Sequence, residues 1–256
     1  MKNLVIYINQ DKQFFGIEDN LMVQTQIENS LELGWKAEDI LLVTNFPYEF
    51  SNIKSRVLED DCYCIWWKQT SKINGIVRMF EKNLIEPDQI YWLHDLDAFE
   101  NYPVEMDLEG KDTAFTDYGY DYRLWNTGSF FFNSKSRDIF EMIKKRCYEI
   151  EKNEERVLEH FTNNNVGNIN SRIKRINITY NFPGSNNGNK YFQKVWDVCE
   201  KPVKVLHFHP LRWEGRFYRM MNGGNPLGVK LMSERLQRRS LLKPTEEQRL
   251  WILSVM

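Results

Sequence analysis

Apolar runs alternate with apolar residues at helical spacing through the first half of the chain. Short runs at 4–8, 40–43 and 62–66 indicate buried strands, because strands of a parallel sheet are almost continuously apolar. Residues 21–33 and 73–84 instead carry apolar side chains every three or four positions, which is typical of helices that pack against a sheet. This alternation predicts an α/β fold with a doubly wound, mainly parallel sheet.

The second half has shorter apolar runs and longer polar connections. Runs at 113–116, 129–132 and 203–208 indicate strands, and residues 134–150 and 153–161 have helical periodicity. We therefore expect this half to form a mixed sheet whose long loops surround a substrate pocket.

A change in composition follows the turn at 223–226. We predict an α/β domain over residues 1–222 and a helical, basic extension over residues 223–256. A solvated helix face explains the basic residues most simply, but peripheral contact with an anionic membrane, an acidic glycan or the chain's own domain stays open. The basic residues are Lys230, Arg235, Arg238, Arg239 and Lys243.

Composition narrows the functional classes. The chain has 256 residues and a net charge of -2, so no global field favours a nucleic acid. No stretch of about 18 consecutive apolar residues predicts a membrane span. The N-terminal apolar run is too short for a signal peptide, and the four cysteines lack the paired Cys-x-x-Cys pattern of zinc sites. We expect a cytoplasmic protein with free, buried thiols.

Two carboxylates, Asp95 and Asp97, directly follow the apolar run at 90–93. Ligands of open α/β sheets bind at the carboxyl ends of strands. Two acids at that edge can hold a divalent cation, and Mg²⁺ and Mn²⁺ favour such oxygen ligands together with substrate phosphates. A solvated acidic turn would give the same pattern, since Asp-x-Asp is common by chance.

Other polar residues also lie where predicted strands begin or end: Asp117, Asn126, Gly128, His207 and His209. Each has a simpler structural explanation, such as a turn cap, a tight bend or a hydrogen-bonded histidine. The two histidines face the same side of their strand, so both could border a site. A carboxylate pair with a late histidine would form a mixed oxygen and nitrogen site suited to manganese.

These segments resemble the nucleotide-sugar-dependent glycosyltransferases of the GT-A fold. The most similar group is the retaining one that contains glycogenin and bacterial lipopolysaccharide galactosyltransferases. That group has an Arg on the helix before its Asp-x-Asp strand, an Asn-Ala-Gly segment, a late His-Phe segment and a Lys-Pro-Trp. The corresponding segments here are Arg78, Asn126-Thr-Gly128, His207-Phe208 and Arg212-Trp213.

The resemblance extends from residue 1 to about residue 213 and has three departures. His94 stands where the group has an apolar residue before the aspartate pair. The group often shows Asp-Gln-Asp on a helix near the donor sugar, and the nearest match here is Glu154-Glu155. The loop at 9–13 also departs from the group's N-terminal base-binding loop.

The resemblance implies a GT-A, Rossmann-like, mixed and mainly parallel sheet flanked by helices. It implies metal-dependent transfer of a sugar from a nucleoside-diphosphate sugar, with UDP as the expected nucleotide, to a glycan or other hydroxyl acceptor with retention. Asp95, Asp97 and His207 would hold Mn²⁺ or Mg²⁺. Sugar-contacting or catalytic positions would be Asp117, Asn126, Glu154 and Glu155. Donor-binding positions would be Tyr7, Asn9, Arg78, Asp95, Asp97, Gly128, His209, Arg212 and Trp213.

Two alternatives belong to other functional classes. Phosphatases of the haloacid dehalogenase type carry Asp-x-Asp on their first strand, with Thr or Val two residues after the second Asp. Here that position is Phe99, and the strand is about the fourth. A non-catalytic domain that binds sugar nucleotides or glycans is the other alternative. Metal-dependent hydrolysis of a nucleotide sugar would separate an enzyme from a binding module, and phosphate release from a simple phosphomonoester would favour the phosphatase.

Overall fold

The computed structural model describes residues 1–10, 14–58, 62–120, 123–183, 195 and 197–207. Three predicted site residues, His209, Arg212 and Trp213, lie outside these ranges. The predicted boundary at 222/223 lies outside them too, so the division into two parts stays a prediction.

The described residues form an α/β structure. The helices are α1 (Ile17–Glu32), α2 (Ser71–Glu81), α3 (Arg137–Ile150) and α4 (Glu154–Asn163). The strands are β1 (Lys2–Tyr7), β2 (Ile40–Thr44), β3 (Glu49–Phe50), β4 (Ile53–Lys54), β5 (Arg56–Val57), β6 (Tyr91–His94), β7 (Ala98–Glu100), β8 (Thr113–Tyr120), β9 (Arg123–Phe132), β10 (Ile173–Ile176), β11 (Phe182–Pro183) and β12 (Val205–His207).

The main sheet has seven strands in the order β10-β8-β9-β6-β1-β2-β5. Strand β1 is parallel to both of its neighbours, β2 and β6. Strand β9 runs antiparallel to β6 and β8. The sheet is therefore mixed and mainly parallel, which confirms the predicted fold class, and the strand that leads to Asp95 lies at its centre.

Helices cover both faces of this sheet. Successive residues of β1 point to opposite sides, as the strand repeat requires. Leu4 packs with apolar residues of α2, α3 and α4, whereas Val5 packs with Met22 and Ile27 of α1. Both faces are thus buried, which explains why β1 and β6 are almost continuously apolar in sequence.

The strand predicted at 62–66 is wrong, because this segment is a loop. Two side chains of α2 bind its backbone groups and replace ladder hydrogen bonds. The amide of Asn74 donates to the carbonyl of Cys62 at 2.9 Å, and Cys64 N donates to Ser71 Oγ at 2.9 Å. The place beside β2 is taken by the two-residue strand β5 instead. All four cysteines are free and buried, as predicted.

A small second sheet, β11-β12-β7, places the late histidine at the edge of the main sheet. Strand β12 is antiparallel to β7, and their register sets His207 opposite Ala98. Because Ala98 follows Asp97 directly, this register brings the histidine to the Asp-x-Asp turn. Within the described ranges, no helix has the length and apolar character needed to cross a bilayer.

Candidate active site

Asp95 and Asp97 lie on the turn that connects β6 to β7. Asp95 N donates to Gly128 O at 2.8 Å, and Ala98 N donates to Asp95 O at 3.0 Å, so the turn is fixed at both ends. His207 Nε2 is 3.3 Å from Asp97 Oδ1 and 4.0 Å from Asp95 Oδ2. The structure therefore brings together the three residues that the sequence suggested as metal ligands.

These three side chains fit a divalent cation. One ligand atom from each lies within 4.8 Å of the others. In an octahedral shell with bonds of about 2.0–2.2 Å, ligand atoms are separated by about 3 Å when adjacent and just over 4 Å when opposite. Two carboxylate oxygens and one imidazole nitrogen are also a donor set that manganese and magnesium accept. The cluster can hold a divalent cation.

Gly128 leaves the space that His207 occupies. A Cβ atom at this position would overlap the imidazole ring, at Cε1 and Nδ1. Strand β9 carries the glycine beside the end of β6, where Ser129 pairs with His94. The glycine of the Asn-Thr-Gly segment is thus required for close approach of the histidine to the aspartates.

Lys72, which the sequence analysis did not select, reaches the aspartates from the first turn of α2. Its ammonium lies 3.0 Å from Asp95 Oδ1 and 3.3 Å from Glu154 Oε1, and it donates to Thr127 O at 2.8 Å. Burial lowers the pKa of Lys72, but attraction to Asp95 and Glu154 outweighs this effect and raises the pKa above its usual range. The lysine is therefore a fixed positive charge beside the candidate metal ligands.

Arg78 and Asp117 form ion pairs that involve none of the candidate metal ligands. Arg78, two turns of α2 beyond the site, pairs with Glu81 at 2.6 Å. Asp117 Oδ2 is 2.9 Å from an Arg175 nitrogen, and that guanidinium lies over the ring of Trp125. Neither Arg78 nor Asp117 is among the residues that line the cavity next to the aspartates. Lys72 supplies the cationic group that was expected from Arg78. Its position at the start of the helix that precedes the Asp-x-Asp strand was the available signal.

The start of α4 supplies two carboxylates to the same region. Glu154, which is 3% exposed, accepts from the hydroxyls of Thr127 at 3.0 Å and Thr70 at 3.3 Å. Glu155 accepts from Thr127 N at 3.1 Å. Acidic side chains in a first helical turn are favoured by the helix dipole. These contacts join α4, β9 and the start of α2 at one wall of the site.

Asn126 lies two residues before Gly128 in β9. Its side-chain oxygen accepts a hydrogen bond from Gly128 N at 2.9 Å. The contact holds Gly128 in place beside the aspartates, and the Asn126 side chain also borders the cavity.

These residues surround a cavity of about 550 Å³. Tyr7 and Asn9 line it at the end of β1. The hydroxyl of Tyr7 donates to Asp19 Oδ2 at 2.6 Å, and Asn9 N donates to Asn45 Oδ1 at 3.0 Å. The sequence-predicted residues that line this cavity are Tyr7, Asn9, Asp95, Asp97, Asn126, Gly128, Glu154, Glu155 and His207.

Burial and charge act against each other at the aspartates. Burial raises the pKa of the Asp95 carboxyl, while Lys72 and His207 oppose that rise. Burial lowers the pKa of His207, but the Asp97 and Asp95 carboxylates together outweigh this effect and raise it. The cluster therefore pairs its negative groups with Lys72 on one side and His207 on the other.

His94 has a structural role behind Asp95. Burial lowers its pKa to about 4, so the ring is neutral near pH 7. Its Nε2 lies 2.8 Å from Asn3 Oδ1, an atom that can only accept, so Nε2 carries the proton and donates. The amide of Asn3 in turn donates to Ser30 Oγ at 2.9 Å. This chain of contacts ties the end of β6 to β1 and α1.

The chain resembles known proteins in its fold, without a detectable match in sequence. No protein-family model matches the sequence, and no curated protein is significantly similar to it. The galactosyltransferase LgtC, solved with donor and acceptor sugar analogues, superposes with a TM-score of 0.55 at 12% identity, over 97% of this chain and 99% of that one.

Two further glycosyltransferases show the same relationship. GlyE of Streptococcus pneumoniae TIGR4 gives a TM-score of 0.55 at 15% identity, over 96% of this chain and 65% of its own. A glycosyltransferase involved in glycosylation of the major capsid of PBCV-1 gives 0.50 at 11% identity, over 94% and 100%. Identities this low show shared architecture rather than shared substrates. The chain therefore has the GT-A fold of these glycosyltransferases.

Proposed function

We propose that this protein is a metal-dependent glycosyltransferase, which moves a sugar from a nucleoside-diphosphate sugar to a hydroxyl group of a glycan or other acceptor. The observation that carries the proposal is the convergence of Asp95, Asp97 and His207 at the wall of the cavity. The GT-A fold supports it, because the cluster lies at the carboxyl end of a central strand, where ligands of α/β sheets bind.

Asp95, Asp97 and His207 would hold Mn²⁺ or Mg²⁺. A bound cation of this kind neutralises the negative charge that develops on a departing diphosphate. We propose UDP as the nucleotide, as in the resemblance described above. Tyr7 and Asn9 border the same cavity at the end of β1, in line with the proposed contact to the nucleoside.

Lys72 holds the carboxylates in place and adds positive charge near the diphosphate. Its ammonium is shared between Asp95 and Glu154, so it fixes the position of both groups. A preorganised charge of this kind is effective because it does not have to reorient during the reaction. Asn126 and Glu155 border the cavity and would bind hydroxyl groups of the donor sugar.

We propose that transfer proceeds with retention. Inversion needs a carboxylate that is placed to accept the proton of the acceptor hydroxyl. The two oxygens of Glu154 are already in contact with Lys72, Thr127 and Thr70, so this residue orders the site rather than acting as a base. The roles proposed for His209, Arg212 and Trp213 are contact with the diphosphate and closure over the donor. The buried free thiols support the proposed cytoplasmic location.

The proposal is tested by the release of nucleoside diphosphate from a panel of sugar nucleotides with Mn²⁺. A thermal-shift screen first selects the donor, since a ligand that binds only the folded state raises stability. We expect turnover with Mn²⁺, none with a chelator, and loss of turnover in Asp97→Asn with the fold retained. Asp88→Asn, at an exposed turn, is the matched control and should behave as the wild type.

Two results would contradict the proposal. Metal-dependent phosphate release from p-nitrophenyl phosphate, without sugar-nucleotide turnover, would indicate a phosphatase. Tight binding of a sugar nucleotide with no turnover, with or without added acceptors, would indicate a binding domain.

A further inference from the structure

Trp67 is an exposed aromatic residue at the wall of the cavity. It is 41% exposed, and it lines the cavity together with Tyr63, Lys68 and Gln69 of the same loop. Exposure of a large apolar ring to water is unfavourable, and a ligand that covers the ring removes this cost. The donor and metal sites proposed above give Trp67 no role.

The loop that carries Trp67 is held firmly at both ends. Trp66 packs edge-on against Tyr148 of α3, with ring centroids 5.5 Å apart. The amide of Asn74 donates to the Tyr148 hydroxyl at 2.7 Å, and Thr70 N donates to Trp67 O at 2.9 Å. The backbone on either side of Trp67 is therefore held by contacts with α2 and α3.

The groups around Trp67 suit a neutral, hydroxyl-rich ligand. The loop continues into Thr70, whose hydroxyl contacts Glu154 at 3.3 Å, so the start of α4 lies at the same wall. The cavity is also lined by Lys68, Gln69, Asn153 and Glu155, whose side chains carry an ammonium, two amides and a carboxylate. Such a mixture of donors and acceptors without one dominant charge matches sugar hydroxyls better than a phosphate.

The nucleoside has a different place available to it. In doubly wound sheets the first strand and its following helix take part in nucleotide binding. Here that unit supplies Tyr7 and Asp19, a hydrogen-bonded pair at the end of β1 and on α1. The loop at 63–69 belongs instead to the wall formed with α2 and α4.

We propose that Trp67 is the stacking platform of an acceptor subsite for a neutral glycan. One face of a pyranose ring packs on the indole, and its hydroxyl groups bind Lys68 and Gln69. This inference rests on the proposed transferase function, because it assigns the acceptor within the same cavity.

The test compares Trp67→Ala and Trp67→Phe with the wild type. Calorimetry measures the affinities of lactose, maltose and cellobiose in the presence of Mn²⁺ and UDP, and separately the affinity of UDP with Mn²⁺. We expect Trp67→Ala to weaken binding of at least one disaccharide by about tenfold or more, the typical effect of removing an aromatic contact surface. UDP affinity should not change, and Trp67→Phe should recover most of the loss. Ile65→Ala is the matched control, since Ile65 is 84% exposed on the same loop.

Three results would overturn the inference: no disaccharide binding to the wild type at millimolar concentrations, equal disaccharide binding in Trp67→Ala, or a loss of UDP affinity in that variant. Hydrolysis of the sugar nucleotide, which needs no acceptor, separates this inference from the proposed function. If the sugar nucleotide is hydrolysed but no disaccharide binds, only the proposed acceptor subsite is contradicted. Absence of nucleoside-diphosphate release both with and without added acceptors removes the transferase function itself.

Discussion

At the scale of single residues, the site depends on charges that are buried only because they are paired. Lys72 is 7% exposed and Glu154 is 3% exposed, and each would be costly to bury alone. Their mutual contact and the contact with Asp95 offset that cost. Close packing matters equally, because His207 reaches the aspartates only through the gap at Gly128.

Gly128→Ala should displace His207 and weaken metal binding. The added methyl group overlaps the imidazole, so the ring must move away from Asp97. We expect the affinity for Mn²⁺ to fall by about 10–100-fold, the range that loss of a supporting contact produces at metal sites. Electron paramagnetic resonance of free Mn²⁺ measures this affinity. Gly16→Ala is the control, because its Cβ would meet Asp19 Oδ2 at an ordinary 3.6 Å. Wild-type affinity in Gly128→Ala would show that His207 is not a ligand.

Glu100 should make the protein less stable as the pH rises. Burial raises the pKa of this carboxyl from 4.5 to about 7, although Trp35 Nε1 and Val104 N both donate to it. A raised carboxyl pKa means that the folded state binds more protons than the unfolded state between these values. Its stabilising contribution is thus fully present below about pH 4.5 and is lost as the pH rises through about 7, at about 1.4 kcal/mol per pKa unit.

Denaturant unfolding at pH 5 and pH 8 checks this sign. The wild type should lose more stability between these two pH values than Glu100→Gln does, because the glutamine does not titrate. An equal loss in the two proteins would mean that the Glu100 carboxyl does not titrate in this range.

At the scale of elements, α1 holds the Asp-x-Asp turn from behind. The side-chain amide of Gln26 donates to the carbonyls of Leu96 at 3.1 Å and Ala98 at 2.7 Å. Those two residues flank Asp97, so a single amide on the helix fixes the backbone of the turn. The glutamine is 1% exposed and is therefore shielded from water.

Gln26→Leu should loosen this turn. Two buried carbonyls lose their donor, so we expect a loss of about 1–3 kcal/mol in the free energy of unfolding. Mn²⁺ affinity should fall as well, because the backbone that carries Asp97 is less well fixed. Gln24→Leu, on the same helix, removes a contact with Tyr48 at 3.2 Å and serves as the control. Unchanged metal affinity in a destabilised Gln26→Leu would limit the glutamine to a role in folding.

The elements also show what the sequence could predict. The long amphipathic helices and the central strand were predictable because their periodicity is local. The loop at 62–66 was not, because its apolar residues are buried by packing on α2 rather than by strand pairing. The pairing of β7 with β12 joins segments about 100 residues apart, and no local pattern encodes such a contact. His207 was a candidate because of its place at a strand end and because of the family resemblance, but its distance from Asp97 required the structure.

At the scale of the whole molecule, segments that the sequence indicated separately line the same cavity. The N-terminal strand-helix unit, the Asp-x-Asp turn, the Asn-Thr-Gly segment and the start of α4 all contribute to its wall. The sequence indicated each of these segments separately. Lys72 and Trp67 were not predicted, because their roles depend on which elements meet at that wall.

The central claim is that Asp95, Asp97 and His207 form one divalent-cation site that binds the donor diphosphate. Calorimetric titration of UDP into the protein, with and without Mn²⁺, tests it most directly. We expect Mn²⁺-dependent binding of UDP in the wild type, with loss of that dependence in Asp97→Asn and in His207→Ala. Equal UDP affinity with and without Mn²⁺, or Mn²⁺-dependent binding that survives in both variants, would contradict it.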